Sequence, residues 1–376
     1  MHGIEKRITH AGYESFVAFG YGNVVDRTHF KVINKIDSYK HNIFSRLTDR
    51  QGRYSTRKTI ELVKRLDAIS PDIIHLHNLH GNFLNYEVLF EFVKETNSKV
   101  IWTLHDCWPF TGHCAYFDLV GCDRWKTECH NCPQIKSYPP ALVDNSCANY
   151  TIKKELFNSI GSRLTLVPVS NWLASLISQS FFKNTKQFTI HNGINLNQFN
   201  PKRILQNIKP YILGVAFPWD KRKGLQDFIK LRDLLTDDID IRLVGLSNSQ
   251  IKNLPNGIIG IQRTNSAEEL AIRYSNAIAF INTTYEDNYP TVNMEAIACG
   301  TPVITYKTGG SPESVPSQCG YSINQGDIQS LNQCILKIFS KRKLFNKEQL
   351  VKFAKDNFNE DNCFQGYIDL YKSVLK

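Results

Sequence analysis

No apolar run in this sequence approaches the ~20 residues needed to span a bilayer. The opening segment, MHGIEKRITH, carries charge throughout and has no apolar core. Neither a spanning helix nor a secretion signal is therefore expected. Low-complexity tracts and short repeats are also missing, which excludes repeat arrays and collagen-like chains. With 42% hydrophobic and 21% charged residues, the chain has enough apolar surface to fold. Acidic residues are the scarcer charge, 35 Asp+Glu against 45 Lys+Arg, for a net charge of +10. The excess is concentrated: Lys31 to Arg65 holds ten basic and three acidic residues. Such a stretch fits an anionic membrane surface or a phosphorylated substrate as well as a solvated basic face. Nucleic acid is not expected as a partner, because these basic residues are not interleaved with aromatic stacking platforms. Ten cysteines in 376 residues do not make a disulfide scaffold. The expected compartment is the reducing cytoplasm, where clustered cysteines read as metal ligands or packing residues.

Short apolar runs alternate with helical patterns. Strands are predicted at Ser15 to Phe19, Asp72 to His77, Lys99 to Leu104 and Leu164 to Val169, and again at Tyr211 to Ala216, Ile239 to Val244, Ile258 to Ile261, Ala277 to Ile281 and Pro302 to Tyr306. Strand–helix alternation means parallel sheets covered on both faces. The fold class is α/β, with two doubly wound Rossmann-like domains facing a cleft. The predicted division is 1–200 for the first domain, with a Cys-rich insertion at 107–133, and 201–357 for the second. Pro-flanked Asn200 to Pro210 is the linker, and 358–376 is a final helix. The first domain opens on a helix, Gly3 to Ala11, where a doubly wound domain normally has a central strand. Its sheet is expected to be incomplete at that point.

Ligands of open parallel sheets sit beyond the carboxyl ends of the strands. The strongest signal there is Tyr285-Glu286-Asp287-Asn288-Tyr289-Pro290-Thr291-Val292-Asn293-Met294-Glu295-Ala296. A strand ends, an acidic turn follows, and Pro290 stands where a helix can begin. Backbone N–H groups of Thr291, Val292 and beyond, just after Pro290, suit a pyrophosphate at the helix start. Asp287 and Glu295, with seven residues between them, suit sugar and ribose hydroxyls, because an ionised carboxylate only accepts. Arg222-Lys223-Gly224 follows the strand at Tyr211 and offers two cations. His113-Cys114, Cys122, Cys129 and Cys132 lie close in sequence. This spacing admits a structural tetrahedral zinc site on Cys114, Cys122, Cys129 and Cys132; disulfides or free thiols are the alternatives.

The run from Asp287 through Glu295-Ala296, Ala298, Gly300 and Pro302-Val303 resembles the family 4 glycosyltransferases, which have the GT-B fold. Asp287 stands where that family usually has Glu. His191-Asn192-Gly193-Ile194 is similar to the family's interdomain segment, and Lys223-Gly224 to its phosphate-binding pair. Phe217 occupies a position where an Arg is common. His105-Asp106, ending a first-domain strand, resembles the family's sugar-facing histidine.

The resemblance implies a retaining transferase that moves a sugar from a nucleotide diphosphate sugar to a growing glycan, of polysaccharide or lipopolysaccharide type and lipid-linked. It implies no cofactor for catalysis. His105, Asp287 and Lys223 would be catalytic. Arg222, Lys223, Asn192, Gly193, Pro290, Thr291, Val292 and Glu295 would bind the donor. Asn78 and His80 are expected on the acceptor side. The final helix would cross back onto the first domain, and the family's first strand and Gly-rich loop have no counterpart here. The alternative is a non-catalytic remnant that binds nucleotide sugar and transfers nothing.

Overall fold

The structure is a computed structural model that describes residues 2–24, 26–341 and 344–376. It divides into two compact units. One comprises residues up to His191 together with Phe364–Lys376, and the other is Asn192–Cys363. No helix among the described residues is long and apolar enough to cross a membrane.

The first unit runs α1 (His2–His10), β1 (Val17–Phe19), β2 (His29–Lys31), α2 (Lys35–Thr48), α3 (Thr56–Ile69), β3 (Ile73–Leu76), α4 (Tyr86–Glu95), β4 (Lys99–Leu104), α5 (Ser146–Asn158), β5 (Leu164–Pro168), α6 (Asn171–Ile177) and β6 (Lys186–Gln187). Strands β3-β4-β5-β6 form a parallel sheet in that order, while β1 and β2 form a separate parallel pair. Val, Ile, Trp and Leu at 100–104 are buried on both faces of β4, as a central parallel strand requires. Phe90, Trp102 and Phe157 pack around it with ring centroids 4.6–5.7 Å apart. The expected insertion contains only short 3-10 turns. Its Trp108, Phe110, Phe117 and Trp125 join the same core.

The second unit runs β7 (Tyr211–Val215), α7 (Leu225–Arg232), β8 (Asp240–Val244), α8 (Asn248–Lys252), β9 (Ile258–Ile261), α9 (Ala267–Asn276), β10 (Ala279–Asn282), α10 (Thr291–Ala298), β11 (Val303–Tyr306), β12 (Gly320–Ile323), α11 (Ile328–Ser340) and α12 (Lys347–Asn357). A final helix, α13 (Glu360–Leu375), starts in this unit and ends in the first. The sheet is wholly parallel, in the order β12-β11-β10-β7-β8-β9. The chain winds outward from β7 through β8 to β9, then restarts at β10 on the other side of β7. The carboxyl ends of β7 and β10 are therefore the topological switch point, where a doubly wound sheet opens a crevice.

The division falls at 191/192, nine residues before the expected one. The amide of Ile194 donates to Phe358 O (2.8 Å), and Glu360 N donates back to Ile194 O (3.1 Å), so this stretch is fastened to the second unit. The presumed linker is also held: Lys202 N and Leu205 N donate to the Ser275 and Asn276 side chains at the end of α9. Strands β2, β6 and β12 were not expected; they are two to four residues long, too short for a periodicity to register.

Candidate donor site at the switch point

The loop leaving β7 ends in a 3-10 turn, Lys221–Lys223, whose cap is the Asp220 side chain accepting from Lys223 N (3.1 Å). This cationic turn is sewn to the acidic turn that leaves β10. Tyr285 N donates to Arg222 O (2.7 Å). Thr283 Oγ1 donates to Lys223 O (3.1 Å) and lies 3.2 Å from Gly224 O. The Arg222 guanidinium donates to Glu286 O (2.8 Å), and Lys223 Nζ pairs with Asp287 Oδ2 at 2.5 Å. Arg222, Lys223 and Asp287, predicted separately, therefore meet at one place. Phe217 is 87% exposed and supplies no charge there.

Gly224 makes this seam possible. Its φ is +72°, and a Cβ would lie 2.3 Å from Thr283 O. Gly224→Ala combines left-handed strain with a backbone clash. It should cost the second unit about 2–4 kcal/mol, read as a lower midpoint of that unit's transition in urea.

Helix α10 begins at Pro290, which caps it without a side-chain hydrogen bond, and Thr291 is exposed. Its first N–H groups thus have no side-chain acceptor at Pro290, and the helix dipole favours an anion there. Glu295, one turn further in, is half-buried and accepts from Tyr274 OH (3.0 Å). Burial raises its pKa, against the hydrogen bonds from Tyr274 and Thr291. Asn192 and Gly193 are not brought into this group. They lie on the segment fastened to the start of α13, where a Cβ at Gly193 would be 2.4 Å from Glu360 Cα. Glycine there answers a close backbone approach.

Three supports were not foreseen. Tyr274, wholly buried, orients Glu295. Buried Asp227 accepts from Tyr285 OH (2.7 Å) and Tyr306 OH (2.8 Å), tying α7 to the ends of β10 and β11. Asn293 accepts from Asn282 and donates to the hydroxyls of Ser311 and Ser314, each 3.1 Å away. One signal was available: Asn293 interrupts an otherwise apolar helix face, and a buried amide needs partners.

In the first unit, His105 follows β4. His77 Nδ1 lies 3.2 Å from His105 Nε2, with the rings stacked at 5.6 Å. Burial lowers the pKa of both. Two neutral imidazoles share one N–H in that bond, which fixes one tautomer against the other. His75 is bonded to Tyr371 OH (2.6 Å) and Thr103 Oγ1 (2.8 Å). Asn78 is exposed. His80 is buried, stacked on Trp108 at 5.0 Å, with Nε2 3.3 Å from Asp106 Oδ2. It is thus committed to packing and to Asp106, and the structure does not group it with Asn78.

All ten cysteines are free thiols. Cys114 and Cys132 are hydrogen-bonded to each other, and that bond sets Cys132 down to about 7. Burial pushes Cys129 up to about 12, although its sulfur accepts from Gly112 N (3.2 Å). Among the described residues, no three of Cys114, Cys122, Cys129 and Cys132 have sulfurs mutually within 4.8 Å. The residues do not fit a tetrahedral zinc as they stand, because such an ion needs all four thiolates at ~2.3 Å. Among the described residues, the one group of three ligand-type side chains within 4.8 Å is Glu5, Asp26 and His29.

Residues 198–356 match the family model described as glycosyl transferases group 1. The matched segment contains the whole switch-point seam. Over 354 residues the chain is 26% identical to the putative colanic acid biosynthesis glycosyl transferase WcaC of Escherichia coli K12, covering 88% of this chain and 84% of that protein. Sucrose-phosphate synthase from Thermosynechococcus elongatus superposes with a TM-score of 0.69 at 16% identity, over 99% of this chain and 92% of the other. Anabaena HepE in complex with UDP-glucose gives 0.60 at 16% identity, over 84% and 82%. The fold is GT-B.

Proposed function

We propose that this protein is a glycosyltransferase that moves a sugar from a nucleotide diphosphate sugar to a growing surface polysaccharide or lipopolysaccharide-type glycan carried on a lipid, with retention of configuration. The observation that carries the reading is the Lys223–Asp287 pair, sewn beside the uncapped start of α10 at the switch point of the matched segment. The name of WcaC and the UDP-glucose complex of HepE support the glycan and the donor class.

In this reading Lys223, Arg222 and the first amides of α10 take the diphosphate as it leaves. Its charge grows in the transition state, so a fixed cation lowers the barrier more than it strengthens ground-state binding. These groups supply the positive charge, so the reaction is assigned no metal. Glu295, oriented by Tyr274, accepts from the ribose. Asp287 keeps Oδ2 on Lys223 and offers its other oxygen to the hydroxyls of the transferred sugar. Retention is carried over from the resemblance; the anomeric configuration of the product, read by NMR, checks it.

The first test is a thermal-shift screen with UDP-, GDP- and ADP-sugars. A donor at a hundred times its Kd should stabilise the protein by about 2.7 kcal/mol, while the wrong nucleotides leave it unmoved. No response to any nucleoside diphosphate or its sugars would remove the proposal. A shift without turnover on any acceptor would leave the non-catalytic remnant.

A further inference from the structure

Helix α2 is inside out. The side it turns to the protein carries Ser38, His41 and Ser45, each no more than 6% exposed. The opposite side carries Ile36, Tyr39, Ile43, Phe44 and Leu47, all exposed, with Ile36 and Tyr39 at 69%. Their spacing of three and four residues places them on one face. Two of the inner polar residues are bonded, Ser38 Oγ lying 2.7 Å from Tyr21 OH and His41 Nδ1 2.8 Å from Ser55 Oγ, while His41 Nε2 and Ser45 Oγ are buried without a hydrogen-bond partner. The helix thus turns a polar face inward and leaves its apolar face out.

The apolar face does not end with the helix. Leu142 N donates to Arg46 O in its last turn (2.7 Å), which sets exposed Leu142 and Val143 alongside. Its borders are basic. Lys35, Lys40, Arg46 and Arg50 are all exposed on or just beyond α2, with Asp37 the single acidic residue in the helix. An apolar stripe flanked by cations is the pattern of a helix that lies in the headgroup region of an anionic bilayer. A second copy of this face would bring the same positive charge against itself, which disfavours a dimer built on it.

We infer that α2, with the Leu142-Val143 edge, is a docking surface for an anionic lipid membrane. Ile36, Tyr39, Ile43, Phe44 and Leu47 enter the interface, and Lys35, Lys40, Arg46 and Arg50 meet the headgroup phosphates. The inference stands apart from the sugar-transfer reading, since membrane binding needs no donor. Conversely, the donor screen can succeed whatever the membrane does.

The test is flotation of the intact chain with vesicles of phosphatidylcholine alone or mixed with phosphatidylglycerol. The protein should float with the anionic vesicles and much less with the neutral ones. Ile43→Ser with Phe44→Ser should weaken anionic binding by about tenfold or more. Lys40→Glu with Arg46→Glu should weaken it by at least about tenfold, and the loss should shrink with added salt. Lys40 and Arg46 are exposed, so the melt of the charge pair should match the parent; Phe44 also packs on Tyr54 (ring centroids 5.5 Å apart), so the charge pair serves if the apolar pair does not fold. No flotation of the parent protein would overturn the inference, as would undiminished binding by a folded variant pair. A concentration-dependent dimer without lipid that Phe44→Ser dissolves would overturn it in favour of a second copy.

Discussion

Lys223→Ala should lower turnover with the true donor by about a hundred- to a thousandfold, the range seen when one fixed donor to a developing anion is removed. Lys223 is held at both ends. Its backbone is anchored by Asp220 and Thr283, and its Nζ lies 2.5 Å from Asp287. The charge thus sits on a fixed support and needs little reorganisation when phosphate charge develops, which is the condition for a large effect. The loss should fall mainly on kcat, because a charge that grows in the transition state is stabilised there more than in the ground state. Lys223→Arg should not restore the rate, since a planar fork cannot replace a compact ammonium in that seam. Glu295→Gln is the contrasting variant. It keeps the bond from Tyr274 but gives up the charged acceptor, so donor KM should rise with kcat less affected. Steady-state kinetics on both, with a thermal-shift titration of the product diphosphate, check the split. A Lys223→Ala enzyme within about tenfold of the parent would place the leaving-group charge elsewhere.

The second unit was more legible in the sequence than the first. Its strands are continuous apolar runs ended by Gly, Pro or polar residues, and five of its six were placed to within two residues. The Asp287–Glu295 spacing and Lys223-Gly224 pointed to two loops that the strand order then brings together at the switch point. Pattern reading could not supply the seam itself. Thr283, Tyr274 and Asp227 act through contacts between residues far apart in the chain, and nothing local to them announces the partner. In the first unit the amphipathic rule misleads at α2, since its apolar stripe is real but faces outward. Four thiols lie near in sequence, but spacing alone does not say which sulfurs meet; Cys114 is hydrogen-bonded to Cys132, while Cys129 accepts from Gly112 N.

Acid should unfold the first unit well before the second. All eleven histidines lie at or before His191, and the second unit has none. Four of them are held neutral by burial. His41 is lowered to about 4 and His75 to about 3, while His77 and His105 are lowered as well and repel each other's charge. A histidine whose folded pKa lies below its unfolded value of ~6.5 favours the folded state only above that value. As pH falls through 6.5 the unfolded chain takes protons that the folded one refuses. The loss then grows until the folded pKa is reached, near 4 for His41 and near 3 for His75. At about pH 5 each of these two should have cost about 2 kcal/mol, a large part of an ordinary domain's stability. Glu295 works the other way in the second unit. Its raised pKa makes the ionised form costly in the folded state, so acidification relieves that unit. Calorimetry at about pH 7.5 and about pH 5 should therefore show the first unit's transition moving down and the second's holding. His41→Asn should remove about 2 kcal/mol of the acid loss, whatever it costs at neutral pH, because an amide does not titrate. If both transitions moved together, or the second unit melted first at the lower pH, the buried imidazoles would not be the acid-sensitive element.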